Sequence, residues 1–124
     1  MLCYNVFNIN HKTMWRQNGG KYNVAPKEQR TLGGRVFDSK REAQVAQELE
    51  ALLKAKEILE LEYQPRVELI PKPNRITYVP DFRVVWRNGN EEYIDVKGME
   101  TDVFKLKAKL FAYIHPKKKL VIMK

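Results

Sequence analysis

Cysteine is almost missing from this chain: Cys3 is the one thiol in 124 residues. A single thiol excludes an internal disulfide framework and a cysteine-based zinc site. Histidine is scarce as well, and His11 and His115 offer no metal pair by spacing. No apolar run approaches the length a membrane span needs, which excludes a bilayer protein. No charged-then-apolar leader opens the chain, so secretion is not expected. The expected location is the cytoplasm, where a lone thiol stays reduced. Internal repeats and low-complexity tracts are absent too. What remains is one domain's length, with 44% hydrophobic and 31% charged residues, enough apolar material for one packed core.

Charge is plentiful and unevenly placed. Lysine and arginine number 23 against 15 acids, a net charge of +8. Residues 1–40 carry +5, residues 41–100 carry −3, and residues 101–124 carry +6. Basic flanks suit a polyanion, most simply nucleic acid. An acidic centre then serves folding, or holds a cation against that polyanion.

The chain divides into a basic, irregular arm over residues 1–30 and a folded domain over residues 31–124. Within the arm no sustained period is visible, and Gly19-Gly20, Asn23 and Pro26 punctuate it. Gln29 to Phe37, around Gly33-Gly34, reads as a small hairpin. Ser39 followed by Glu42 has capping-box spacing and predicts a helix from Lys40 to Lys54. Alternation predicts one strand over Ile58–Leu69, with Pro65 as an edge, bulge or break. A second strand is predicted over Ile76–Trp86 and a third over Glu91–Lys97, joined through Asn88-Gly89-Asn90. A second helix is predicted over Thr101–Ile114, then a last strand over Leu120–Met123. The expected class is α/β, a mixed sheet flanked by two helices.

Five side chains, on four elements, look misplaced for a purely structural role. Glu42 falls inside the apolar stripe of Val45, Ala46, Leu49, Leu52 and Leu53 in the first helix. A core-facing carboxylate is costly unless paired or bound to a metal, although closing the capping box would explain this one. Period two puts Asp95 and Lys97 on one face of the third strand, opposite Ile94 and Val96. Asp81 interrupts a strand, where aspartate fits poorly, unless that strand begins at Phe82. A three-residue turn at Asn88–Asn90 would set Asp81 opposite Lys97 and Arg83 opposite Asp95, all on one face. A two-residue turn would point Asp81 away. In the second helix, Lys107 lies within a wide apolar arc of Val103, Phe104, Leu106, Leu110, Phe111, Tyr113 and Ile114. Lys105 and Lys109 lie outside it. Lys107 either snorkels to solvent or points into the site of Asp81 and Asp95. Two acids on adjacent strands suit Mg²⁺, with its preference for oxygen ligands.

Pro80-Asp81, then Asp95-Val96-Lys97, preceded by a helix bearing Glu42, resembles the PD-(D/E)XK nuclease superfamily, whose core order is αβββαβ. The wider string also resembles a family of small uncharacterised phage and prophage proteins. It carries similar stretches to Phe37-Asp38-Ser39-Lys40-x-Glu42-Ala43, Gln64-Pro65, Tyr78-x-Pro80-Asp81-Phe82, Asp95-Val96-Lys97-Gly98 and Lys105-Leu106-Lys107. The likeness runs from about Lys21 to the C-terminus.

The resemblance implies a restriction-endonuclease-like core and a metal-dependent phosphodiesterase acting on DNA. Asp81 and Asp95 would hold Mg²⁺, or Mn²⁺ in its place, with the Val96 carbonyl as third ligand. Glu42 would orient the attacking water or join the metal shell, and Lys97 would steady the water or the phosphate. Lys107 is expected to assist. The second acid is Asp95 where many relatives have glutamate. The phosphate backbone would be met by Lys21, Arg35, Lys105, Lys109, Lys117, Lys118 and Lys119. A phage setting points to recombination or repair, on branched DNA such as a Holliday junction, with two cuts and hence a homodimer. The alternative is a nucleic-acid-binding protein that keeps the fold without catalysis.

Overall fold

Two buried prolines decide how the central strands are cut. A proline cannot donate to a ladder, so each ends a run that alternation alone would continue. Pro65 separates β4 (Ile58–Tyr63) from β5 (Val67–Ile70), and Pro80 separates β6 (Ile76–Tyr78) from β7 (Phe82–Trp86). The computed structural model describes residues 4–7 and 24–124. The other described elements are β1 (Tyr4–Phe7), β2 (Thr31–Leu32), β3 (Arg35–Val36), α1 (Lys40–Lys54), β8 (Glu91–Val96), α2 (Asp102–Ile114) and β9 (Lys119–Met123). Both long strands expected from periodicity are therefore two strands each, and the halves join different sheets.

The principal sheet has the order β1-β9-β8-β7-β4 and is mixed. β9 pairs parallel with both β1 and β8, while β7 pairs antiparallel with β8 and β4. The other pairs, β2–β3 and β5–β6, are separate two-stranded hairpins. Gly33 and Gly34, at φ +56 and +81, supply the left-handed backbone that the tight turn of β2–β3 demands. Residues 1–30 are not wholly irregular, as the sequence suggested. Tyr4–Phe7 forms the sheet edge and Lys27–Arg30 a 3-10 turn, while the rest of that segment before residue 24 lies outside the described residues.

Alternation along β8 and β9 builds one core on each face of the sheet. Ile94, Val121 and Met123 pack with Val45, Ala46 and Leu49 of α1. Tyr93, Leu120 and Ile122 pack with Phe104, Ala108 and Phe111 of α2, and with Val67, Leu69 and Tyr78 of the β5–β6 hairpin. The second helix buries a narrower stripe than its composition suggests. Val103, Leu106, Tyr113 and Ile114 are exposed, because the hairpin and sheet meet only the Phe104–Ala108–Phe111–Ala112 line. Among the described residues no helix is long and apolar enough to cross a membrane.

The β7–β8 turn differs from both expected turns. The Trp86 N–H donates to the Asn90 carbonyl at 2.8 Å, so the three-residue loop is Arg87–Gly89, with Gly89 at φ +91. The ladder then pairs Phe82 with Ile94 and Arg83 with Tyr93. The shift relative to the expected turn at Asn88–Asn90 is two positions. A two-position shift preserves the face of every side chain.

Candidate functional site

Carrying that register one residue past Phe82 and Ile94 sets Asp81 opposite Asp95. Asp81 stands just before β7, set off from β6 by Val79-Pro80, and its carbonyl accepts a hydrogen bond from the Gln64 N–H at 2.8 Å. Its carboxylate Oδ2 accepts the Val96 N–H at 2.8 Å. Asp95, on β8, is 1% exposed and accepts a hydrogen bond from the Tyr78 hydroxyl. The face that carries Asp95 is covered there by the hairpin and α2. Lys97 reaches back over the end of β8, its Nζ 3.7 Å from Asp95 Oδ1 and 5.0 Å from the Phe104 ring centroid. The Lys97 N–H donates to the Met123 carbonyl at 2.8 Å, which fixes its backbone against β9.

Glu42 arrives from the other helix. Ser39 Oγ accepts the Glu42 N–H at 3.0 Å, one half of the capping box. Its carboxylate is 4% exposed and is influenced by the charges of both Asp95 and Lys97. The structure therefore brings Glu42, Asp81, Asp95 and Lys97 together from three separate stretches of chain.

The electrostatics are those of acids crowded out of water. Burial first, then the charges of Asp95 and Glu42, push Asp81 up to about 8, against the pull of the Val96 N–H. Burial likewise raises Asp95, opposed by the hydrogen bond from Tyr78 and the charge of Lys97. Asp81 and Asp95 lie close enough to share a proton. Glu42 is pushed up to about 7, mainly by burial and the Asp38 charge, while the Asp38 backbone draws it partway back. Tyr78 is held far above the usual phenol range by burial beside Asp95, so it stays a donor.

Lys97 alone is too little positive charge for two buried carboxyls and a half-buried third. A divalent cation would relieve that imbalance, and the donor set, all oxygen, fits Mg²⁺ or Mn²⁺. Among the described residues no three His, Cys, Asp or Glu side chains stand together as a ready cage. Asp81 and Asp95 are the pair suited to hold such an ion. At Val96 the N–H meets the Asp81 carboxylate, which leaves the carbonyl as the group that would face a metal.

None of the remaining candidates is ion-paired with these carboxylates among the described residues. Lys107 is half-buried beside the Phe104–Ala108–Phe111 line, and no ion pair joins it to the carboxylates among the described residues. Lys105, Lys109 and Lys117 are exposed. Lys118 pairs with Glu91 at 3.7 Å and Lys119 with Glu92 at 3.9 Å. Because β9 runs parallel to β8, this lysine run lies at the opposite end of the sheet from Asp95. Arg35 stacks its guanidinium 4.5 Å from the Tyr63 ring centroid. Lys21 lies outside the described residues. Sequence reading assigned no role to Tyr78; a tyrosine two residues before Pro80 was the only available signal.

Residues 19–124 match the model of a family described as a protein of unknown function, DUF1064. The chain belongs to that family. No curated protein and no solved structure matches it.

Proposed function

We propose that this chain is a Mg²⁺-dependent endonuclease hydrolysing DNA phosphodiester bonds, built on a restriction-endonuclease-like αβββαβ core. One observation carries the reading. Half-buried Asp81 faces buried Asp95, with a lysine on one side and a core-facing glutamate on the other. A purely structural site would seldom keep so many like charges together. Asp81 and Asp95 would hold the cation. When bound, it would supply Lewis-acid polarisation of the phosphoryl oxygens.

The chain's own groups divide the remaining work. Tyr78 donates to Asp95 and fixes its orientation, and the Val96 N–H does the same for Asp81. Glu42, pushed up to about 7 chiefly by burial, is suited to accept a proton from an attacking water near neutral pH. Lys97 lies where it can balance charge that develops on the phosphate. The basic flanks supply attraction to the DNA backbone. Recombination or repair of branched DNA is the substrate class that we favour, with paired cuts made by a homodimer.

The test is a cleavage assay on junction, flap, single-stranded and duplex DNA side by side, with Mg²⁺ or EDTA. We expect Mg²⁺-dependent cutting, strongest on the branched substrates. Tight DNA binding with no cutting of any substrate would leave only a nucleic-acid-binding role.

A further inference from the structure

On the α1 face of the sheet, a cleft of about 500 Å³ opens between the β2–β3 hairpin and the helix. It is large enough for one nucleotide. Leu32 and Arg35 line the hairpin wall, Gln47 and Lys54 the helix wall, and Tyr63 and Glu50 complete the lining. The charges are sorted in a telling way. Glu50 is engaged by the Tyr63 hydroxyl, which donates to its Oε1. Arg35 and Lys54 then give the cleft a net positive charge, one cation from each wall. The exposed Arg35 places its guanidinium carbon over the Tyr63 ring, 4.5 Å from the centroid, where its solvent side can serve as a platform. Gln47 offers an amide donor and acceptor, enough to meet a base edge.

The position is as informative as the lining. Tyr63 pairs with Phe82, the residue after Asp81, and Gln64 donates to the Asp81 carbonyl. The Tyr63 end of the cleft and the carboxylates therefore lie at the same end of the sheet but on its two faces, Tyr63 and Phe82 packing on the α1 side and Asp95 beneath Tyr78 on the other. A DNA strand leaving the carboxylates over Gln64 would turn around the edge strand β4 to enter the cleft. Duplex DNA, with its bases stacked inside, has nothing to insert there.

From this geometry we propose that the hairpin–helix cleft receives one unpaired nucleotide of the DNA strand next to the carboxylate site. Its phosphate lies between Arg35 and Lys54, and its base stacks on the Arg35 plane. The proposal rests on the nuclease reading and narrows its substrate to DNA with a single-stranded flank. Base stacking on such a platform gives roughly a tenfold preference per base, and it tolerates sequence because every base has a π-face.

The experiment measures binding, not cutting, so the two readings separate. Fluorescence anisotropy in EDTA compares a blunt duplex with the same duplex bearing a single-stranded tail. We expect the wild-type chain to prefer the tailed probe by about tenfold or more. In Arg35→Ala and Lys54→Ala that ratio should fall toward one, with melting temperatures confirming that both variants fold. A wild-type ratio of one, or a ratio unchanged in both variants, overturns the proposal. Cutting of both probes with a wild-type ratio of one would leave the nuclease reading standing and the cleft rejected. A high, cleft-dependent ratio without cutting of any DNA would do the reverse.

Discussion

Asp81 shows how one residue takes its role from its neighbours. Pro80 sets it off from β6, the Val96 N–H donates to its side chain, and Asp95 faces it. Its raised affinity for protons means that, without a cation, the folded chain holds a proton there that the unfolded chain would release near neutral pH. Stability from that proton is full below the ordinary aspartate range and is lost as pH rises through about 8. Glu42, at about 7, acts in the same direction. Melts in EDTA should therefore show the wild-type chain losing stability from pH 5 to pH 9. Asp81→Asn should flatten that slope, and an unchanged slope would contradict the assignment. Glu42→Gln separates two roles for one side chain. Glutamine also completes a capping box, so stability should hold while the single-turnover rate drops by on the order of 10²-fold. Glu42 was legible because a carboxylate in a stripe of Val45, Ala46 and Leu49 breaks a pattern. Tyr78 was not, because a buried tyrosine fits a core whether or not its hydroxyl has a partner.

At the scale of elements, both helices were readable and the long strands were not. Ser39 and Thr101 mark their helices by chemistry local to a few residues, and each side chain accepts the expected backbone N–H. Replacing Thr101 by alanine should cost about 1 kcal/mol in denaturant unfolding. Strand ends depend on pairing partners far away in sequence, so alternation ran across Pro65 and Pro80. The β5–β6 hairpin that results has a consequence for the site: it carries Tyr78 to Asp95 while packing Val67 and Leu69 on α2. Tyr78→Phe keeps the packing and removes the donor. It should cost about 1–3 kcal/mol by leaving a buried carboxylate under-bonded, and lower the cleavage rate more than it weakens DNA binding. Lys97, just past β8, and the lysines of α2 divide by reach. Lys97→Ala should slow cleavage at saturating DNA, whereas Lys105→Ala and Lys109→Ala should only weaken binding and reduce its salt dependence. Lys107, half-buried but unjoined to the carboxylates, should behave like these two in the same rate and binding measurements. A selective rate loss in Lys107→Ala would restore it to the site.

Across the whole molecule, charge and topology support the same reading. The acids of the central segment are largely committed: Arg83 binds Glu60, Glu62 and Glu91 on one side of the sheet, and Lys118 and Lys119 bind Glu91 and Glu92. Among the described residues Lys97 is the cation that acts on Asp95 and Glu42, so this is where positive charge is short. Composition alone showed an acidic centre between basic flanks, yet it could not separate structural acids from site acids. That distinction needed the register of β7 on β8. The most direct test of the central claim is the single-turnover cleavage rate at saturating DNA, titrated with Mg²⁺, for wild type, Asp81→Asn and Asp95→Asn. The account predicts a Mg²⁺-dependent rate in the wild type. It also predicts loss of cutting in both variants, with metal-free DNA binding kept or tightened. Cutting at the wild-type rate by either variant would contradict it.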